Sequence, residues 1–387
     1  MTSDVVVVMV PFVAQGHLNQ LLHLSRLIST YNIPIHFIST TTHCRQARDR
    51  LHGWHAHDNL IKFHSLQDPD FTSPNPEPNA TTQFPTHLQP SFNSSLHLRH
   101  PVADIIRSLA KTSRRVAVVH DSAMSYVVQD VKFIQNAETY VFRALSVFYS
   151  YCFNLERLGR KLPFEPEMMP RIPPPTVTMS PEFMAFVNLQ YEYQTFHVGN
   201  IYDSSRDIEG RFLELLERDE ICGKNHWAVG PFNPVEISPD VSNSANRHAC
   251  LKWLDKQPEN SVIYVSFGTT TTFSECQIQE LAMGLEKSEQ RFLWVLRDAD
   301  KGDVFKEDDG RRVVLPKGFE DRVEGRGLVV REWAPQPEIL GHSSVGGFEG
   351  AEMRKRVAEL GGELRKSLAE GGVSRKELDS LVSYIRR

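Results

Sequence analysis

The sequence predicts an α/β fold with two doubly wound parallel sheets, on three observations. Its apolar runs, VVVVMV at residues 5–10 first among them, are short, β-branched and continuous, as strands buried on both faces are. The first of them leads through turn residues into an apolar stripe at helical spacing. The alternation of strand and helix then begins again after a Pro-, Ser- and Asn-rich stretch, so two such sheets are expected.

In chain order, Val5 to Val10 is a buried strand, Gln15 and Gly16 turn the chain, and Leu18 to Ile28 forms the first helix. Ile35 to Ser39 and the run RVAVVH, Arg115 to His120, are further strands of the same sheet. Asp68 to Pro90 and Leu162 to Pro175 carry too much Pro, Asn and Thr for regular structure, and long loops of this kind shape pockets. Trp227 to Val229 is strand-like, and Pro231 to Asn246 has no periodicity, which marks a linker.

Beyond it come strand Val262 to Phe267, helix Glu275 to Lys287, strand Phe292 to Leu296, a charged loop from Asp298 to Asp309, and strand Leu328 to Arg331. From Glu349 the pattern is wholly helical, with Met353, Val357, Leu360, Leu364 and Leu368 on one stripe, and a last helix opens at a Ser374/Glu377 capping box. The expected organisation is therefore a domain over 1–230, a linker over 231–248, a second domain over 249–348 and C-terminal helices over 349–387. The halves are unequal: about 240 residues precede the end of the linker and about 147 follow, too few for a second complete sheet.

Composition narrows the function classes. With 387 residues, 40% hydrophobic and 24% charged, the chain has apolar material for about two or three domains. The net charge of -5, with Lys and Arg dispersed, offers no patch for nucleic acid or an anionic membrane, so a small soluble partner is expected. Cys44, Cys152, Cys222, Cys250 and Cys276 are odd in number, scattered and free of CxxC pairs, which suits a reducing, cytoplasmic compartment. The apolar start is broken by Pro11, follows Asp4 and lacks a basic lead, so neither a signal peptide nor a membrane span is read, and the sequons at Asn79 and Asn93 are taken as accidental.

His17 stands where the first strand ends and a helix begins, the place where open α/β sheets present ligands, and it suits a general base there. With 16 histidines in the chain, a bland turn histidine is the alternative. Asp121 follows RVAVVH at another strand end of the same sheet, where it could orient the His17 imidazole; it could equally cap the helix expected over Ser122 to Asp130. In the second half, Trp333, Ala334, Pro335 and Gln336 follow a strand and offer an indole face and an amide for a flat heterocycle, while packing is the commoner use of such a Trp. Ser266, Phe267, Gly268, Thr269 and Thr270 close a strand with backbone N–H groups and hydroxyls suited to phosphate. Asp298-Ala299-Asp300 has a metal-binding DxD spacing but reads better as a solvated loop, and the cluster His52, His55, His57 and His64 lacks the ligands of a metal cage. The absence of GxGxxG, P-loop and Gly-x-Ser-x-Gly motifs counts against dehydrogenase, kinase and hydrolase chemistry.

Five segments in order, PFVAQGHLNQLLHLSRLI, VVHDSAMSYVVQD, VIYVSFGTTTTF, FLWVLRDADKGDVF and WAPQPEILGHSSVGGF, resemble the plant UDP-glycosyltransferase family, and within it the enzymes that glycosylate zeatin. The resemblance implies the GT-B fold, two facing Rossmann-like domains with acceptor bound mostly by the first and UDP-sugar by the second. It makes His17 the catalytic base and Asp121 its partner. It places Trp333 against uracil, Ala334 at the base through its backbone, Gln336 on the ribose, and Gly268, Thr269 and Thr270 near the diphosphate. The implied reaction is a metal-free inverting transfer of glucose or xylose from UDP-glucose or UDP-xylose to a hydroxyl of a small acceptor such as zeatin, with no cofactor.

The chain departs from that family after Phe348. Where relatives continue with a His-Cys-Gly-Trp-Asn-Ser stretch, a Glu and a sugar-binding Asp-Gln or Glu-Gln pair, Glu349 opens a sequence that resembles the family's extreme C-terminus. Roughly 80 residues of the second domain are expected to be absent. Weak or absent activity follows for this chain, and so do an unpaired strand Leu328 to Arg331 and tail helices without their packing strands. A non-catalytic acceptor-binding protein is the alternative from another class, and a mis-spliced reading of a full-length enzyme is the third.

Overall fold

The computed structural model describes residues 3–49, 60–67, 69–74, 86–161, 179–218, 224–232, 247–267, 273–296, 314–332, 334–346 and 351–387. They form two compact units. Met1–Thr72, Leu88–Phe232 and Gly361–Arg387 make the first; Ser73–His87 and Asn233–Leu360 make the second.

The first unit is built on a parallel sheet of seven strands. They are β1 (Ser3–Val10), β2 (Ile35–Thr40), β3 (Ile61–Leu66), β4 (Ser113–Asp121), β5 (Ala137–Arg143), β6 (Gly199–Tyr202) and β7 (Asn225–Ala228), in the order β3-β2-β1-β4-β5-β6-β7. Around the sheet run α1 (Gln15–Ser29), α2 (Thr41–Asp49), α3 (Gln89–Ser95), α4 (Arg99–Ala110), α5 (Val147–Arg157), α6 (Pro181–Glu192) and α7 (Arg206–Arg218). β1 takes the middle because its Val5 to Val10 run is buried on both faces; it pairs with β2 (Val8 opposite His36) on one side and β4 (Val8 opposite Val118) on the other. α1 lies on the sheet through Leu18, Leu21, Leu22 and Ile28, each at most 1% exposed and each worth about 1.5–3 kcal/mol of burial. The chain reverses direction in strand order between β1 and β4, and the ends of these two strands flank that crevice.

The second unit carries α8 (Ala249–Leu254), β8 (Val262–Val265), α9 (Glu275–Lys287), β9 (Arg291–Val295), α10 (Phe319–Arg322), β10 (Gly327–Val330) and α11 (Gln336–Leu340). Its parallel sheet runs β10-β9-β8, with a bridge from Val262 to Val345 on the far side of β8. Leu293 and Val295 pack toward α8, Phe292 and Trp294 toward α9, so β9 is apolar on both faces. The expected edge at Leu328 to Arg331 exists, but its cause is corrected. β10 occupies the outer place that β3 occupies in the first sheet, so it is an edge by topology. On the other side of β8, among the described residues, the Ser343 and Ser344 carbonyls accept from the N–H groups of residues 260–262 next to the Val262 to Val345 bridge.

α12 (Ala351–Leu368) and α13 (Val373–Arg386) close the chain, and the division between units falls within α12. The expectation that the tail helices lack packing partners is overturned for α13. Leu378, Leu381, Val382 and Ile385 enter the core of the first unit beside Trp227, and the guanidinium of Arg114 donates to the carbonyls of Arg386 and Arg387. The expected capping box is absent too: α13 has Gly372 at its N-cap. Ser374 is fully buried and donates to Gly230 O at 2.7 Å, while the Glu377 carboxylate accepts from Ala228 N–H and from Arg206. Both side chains tie α13 to the first unit, Ser374 to the loop after β7 and the half-buried Glu377 to β7 and α7, because a hydroxyl without water must find a protein partner.

Candidate active site

His17 is the third residue of α1, one turn beyond the loop that follows β1. Asp121 is the last residue of β4. The Nδ1 of His17 lies 2.7 Å from Oδ2 of Asp121. An ionised carboxylate only accepts, so Nδ1 carries the proton and Nε2 keeps its lone pair. The Asp121 side chain is wholly buried and that of His17 is 28% exposed, so the pair presents one basic nitrogen outward from an anchored carboxylate. Burial acts against the imidazolium, but the charge of Asp121 and its hydrogen bond outweigh burial and raise the His17 pKa above its ordinary value.

The two readings of Asp121 both hold. Its Oδ1 accepts from Ala123 N–H at 2.8 Å and caps the short 3-10 turn Ser122–Met124, which leaves Oδ2 for His17. Gly16, exposed beside His17, meets no protein atom where a Cβ would stand, so packing does not require it.

One part of the site was missed from sequence. The ring of Phe12 meets His17 edge-on at 5.2 Å and sits 4.6 Å from Phe92 and 5.7 Å from Phe186; Phe183 stacks on Phe186. Phe12 thus stands beside His17 at the front of an aromatic cluster drawn from the loop after β1, α3 and α6. The spacing Phe183/Phe186 on one helix face was the available signal, though core packing produces the same spacing.

Of the donor-side candidates, Gly268, Thr269, Thr270 and Trp333 lie outside the described residues. Ala334 is 7% exposed and packs its methyl with Ile339 and Val330, which leaves only its backbone for a ligand. Gln336 opens α11 and is exposed. Asp298, Asp300, His52, His55 and His57 also lie outside the described residues, whereas His64 is hydrogen bonded to His36 at 2.8 Å. Among the described residues no three His, Cys, Asp or Glu side chains could hold one metal ion, and no helix is long and apolar enough to cross a membrane.

Residues 3–234 match the family "Glycosyltransferase, N-terminal domain", and residues 223–351 match "UDP-glucoronosyl and UDP-glucosyl transferase". The chain is 41% identical to the zeatin O-glucosyltransferase of Phaseolus lunatus, with all of this chain and 98% of that protein covered. It belongs to the plant UDP-glycosyltransferase family. Another relative, the zeatin O-xylosyltransferase of Phaseolus vulgaris, is also 41% identical, over all of this chain and 99% of that one. Among solved structures, a Polygonum tinctorium UDP-glucosyltransferase capable of glucosylating indoxyl superposes with a TM-score of 0.75 at 22% identity, covering 100% of each chain. A transferase from Siraitia grosvenorii in complex with UDP superposes with a TM-score of 0.72, also at 22% identity, over 99% of this chain and 100% of that one. These likenesses establish the fold, which is GT-B: an α/β protein with a seven-stranded parallel sheet, a second parallel sheet and C-terminal helices.

Proposed function

We propose that the chain derives from an inverting O-glycosyltransferase that moves glucose or xylose from its UDP-sugar to a hydroxyl of a small, flat, apolar plant molecule such as zeatin. The contact between His17 and Asp121, beside the Phe12 ring, is the observation that carries this reading. Nε2 of His17 takes the acceptor's hydroxyl proton while the oxygen attacks the anomeric carbon; the bond from that carbon to UDP breaks, and UDP leaves with the electron pair. Asp121 balances the imidazolium so formed. On this reading residues 1–230 bind the acceptor and 249–348 the UDP-sugar, through Gly268, Thr269, Thr270, Trp333, Ala334 and Gln336, with no metal.

The donor half is the weaker one. The alignment with the Phaseolus lunatus enzyme spans 456 positions against 387 residues here, so about 69 positions have no counterpart in this chain, although both chains are matched almost end to end. The second family match stops at residue 351, beside the Phe348 to Glu349 junction. An internal deletion at that junction removes donors that would stabilise departing UDP, which costs about 10²-fold or more in rate for each one lost. This favours weak or no transfer, and the second reading, an acceptor-binding protein, draws on the same gap. Rate assays with UDP-glucose and zeatin test the first reading: turnover near that of the Phaseolus lunatus enzyme defeats the inactivity argument. Calorimetric binding of zeatin without UDP supports the second; binding of neither ligand defeats both.

A further inference from the structure

The turn that carries Asp121 is held from the opposite face of the sheet. Asp121 O accepts Nδ1–H of His120 at 2.9 Å, and His120 is neutral because burial lowers its pKa to about 4. The next carbonyl, Ser122 O, accepts Nε2 of Gln194 at 3.1 Å, two residues past α6. Gln194 Oε1 in turn accepts from Nη2 of Arg143 at 2.9 Å, and Arg143 Nε donates to Asn200 Oδ1 on β6 at 3.0 Å. Asp121 pairs in register with Phe142, so Arg143 lies one residue on and shares a face with His120, not with the Asp121 side chain. Arg143, Gln194 and Asn200 are 9%, 6% and 4% exposed.

Arg143 is thus a buried cation that donates to two neutral amides and whose guanidinium lies 5.7 Å from the ring centre of Tyr191, contacts that only partly offset its desolvation. A guanidinium can only donate. It therefore compels the Gln194 amide to turn its oxygen toward Arg143 and its NH2 toward Ser122 O. Without the cation, the amide is free to flip and set oxygen against oxygen at Ser122, which releases the turn whose Ala123 N–H holds Asp121 Oδ1.

We propose that Arg143 and Gln194 are positioning residues, which fix the Ser122 carbonyl and thereby aim Asp121 Oδ2 at His17 Nδ1. The proposal rests on the dyad reading of His17 and Asp121, and the test separates the two. NMR of the His17 ring nitrogens in the full chain gives its titration midpoint and the downfield Nδ1–H proton of a carboxylate-bound imidazole, neither of which needs catalysis.

In Gln194→Met and Arg143→Met, the midpoint should shift downward and the downfield proton should be lost, whereas Arg143→Lys, which keeps a donating cation, should restore both. If Gln194→Met does not fold, Gln194→Asn carries the test, since its shorter amide cannot span from Arg143 to Ser122 O. Folded variants with an unchanged His17 midpoint and proton overturn the proposal, provided that Asp121→Asn abolishes the proton. If Asp121→Asn leaves His17 unchanged, the dyad reading falls and this proposal falls with it.

Discussion

His17 and Asp121 come from opposite sides of a strand crossover, and their contact sets the chemistry of both. Because Asp121 raises the His17 pKa in the folded chain, the pair stabilises the fold below the ordinary histidine value near 6.5, and that contribution is lost as pH rises through the raised value. Asp121→Asn should therefore cost about 2 kcal/mol at pH 6 and visibly less at pH 9, read from urea unfolding. An equal cost at both pH values would mean that the ion pair does not form. In a chimera that takes from the Phaseolus lunatus enzyme the positions with no counterpart here, His17→Ala should lower kcat/KM by about 10²–10⁴ if His17 is the base proposed above. The acid limb of the chimera's activity should lie above 6.5, since the base works only when deprotonated.

At the scale of elements, α13 is the clearest case of a segment whose role depends on where it docks. Leu381 is fully buried in the first unit's core, so Leu381→Ala should cost about 2–5 kcal/mol, measured by chemical unfolding. A cost below 1 kcal/mol would show that α13 is not docked there. Gly199 opens β6 where a Cβ would come 2.5 Å from the ring of Trp227, so Gly199→Ala should cost about 1–3 kcal/mol by overpacking the same core. The strands beginning at Ser3, Ile35, Ser113, Gly327 and Arg291 were legible because continuous β-branched or apolar runs have one stable place, inside a parallel sheet. β3, with polar His64 and Ser65, β5, with Glu138 and Arg143, and β6, with Gly199 and Asn200 in its four residues, lack such runs and are not legible in the sequence. Ser374 misled for a related reason: its sequence is that of a capping residue, and only the neighbouring carbonyl of Gly230 made a core hydrogen bond the better use of it.

At the scale of the whole molecule, the described residues of the two units differ in extent: seven strands with a docked tail helix in the first, three strands and a bridge in the second. Ligands that bind only the native state should report this difference. On the function proposed above, zeatin at 100 times its dissociation constant should stabilise the chain by about 2.7 kcal/mol, while millimolar UDP should leave its thermal unfolding unmoved. A UDP-induced shift in the chain as it stands would overturn the reading of the donor half.

The sequence by itself determined the family, the two parallel α/β sheets, His17 at the start of the first helix and Asp121 at a strand end, because hydrophobic periodicity and ordered local motifs are properties of the chain read in one direction. Only the tertiary structure decided that Nδ1 faces Asp121, that Phe12 lies against His17 with Phe92 and Phe186 behind it, that α13 completes the first core, and that Arg143 and Gln194 brace the turn from behind. Each of these depends on groups distant in sequence satisfying one another's hydrogen bonds or filling one another's space, and no local spacing encodes which partner a buried group will find.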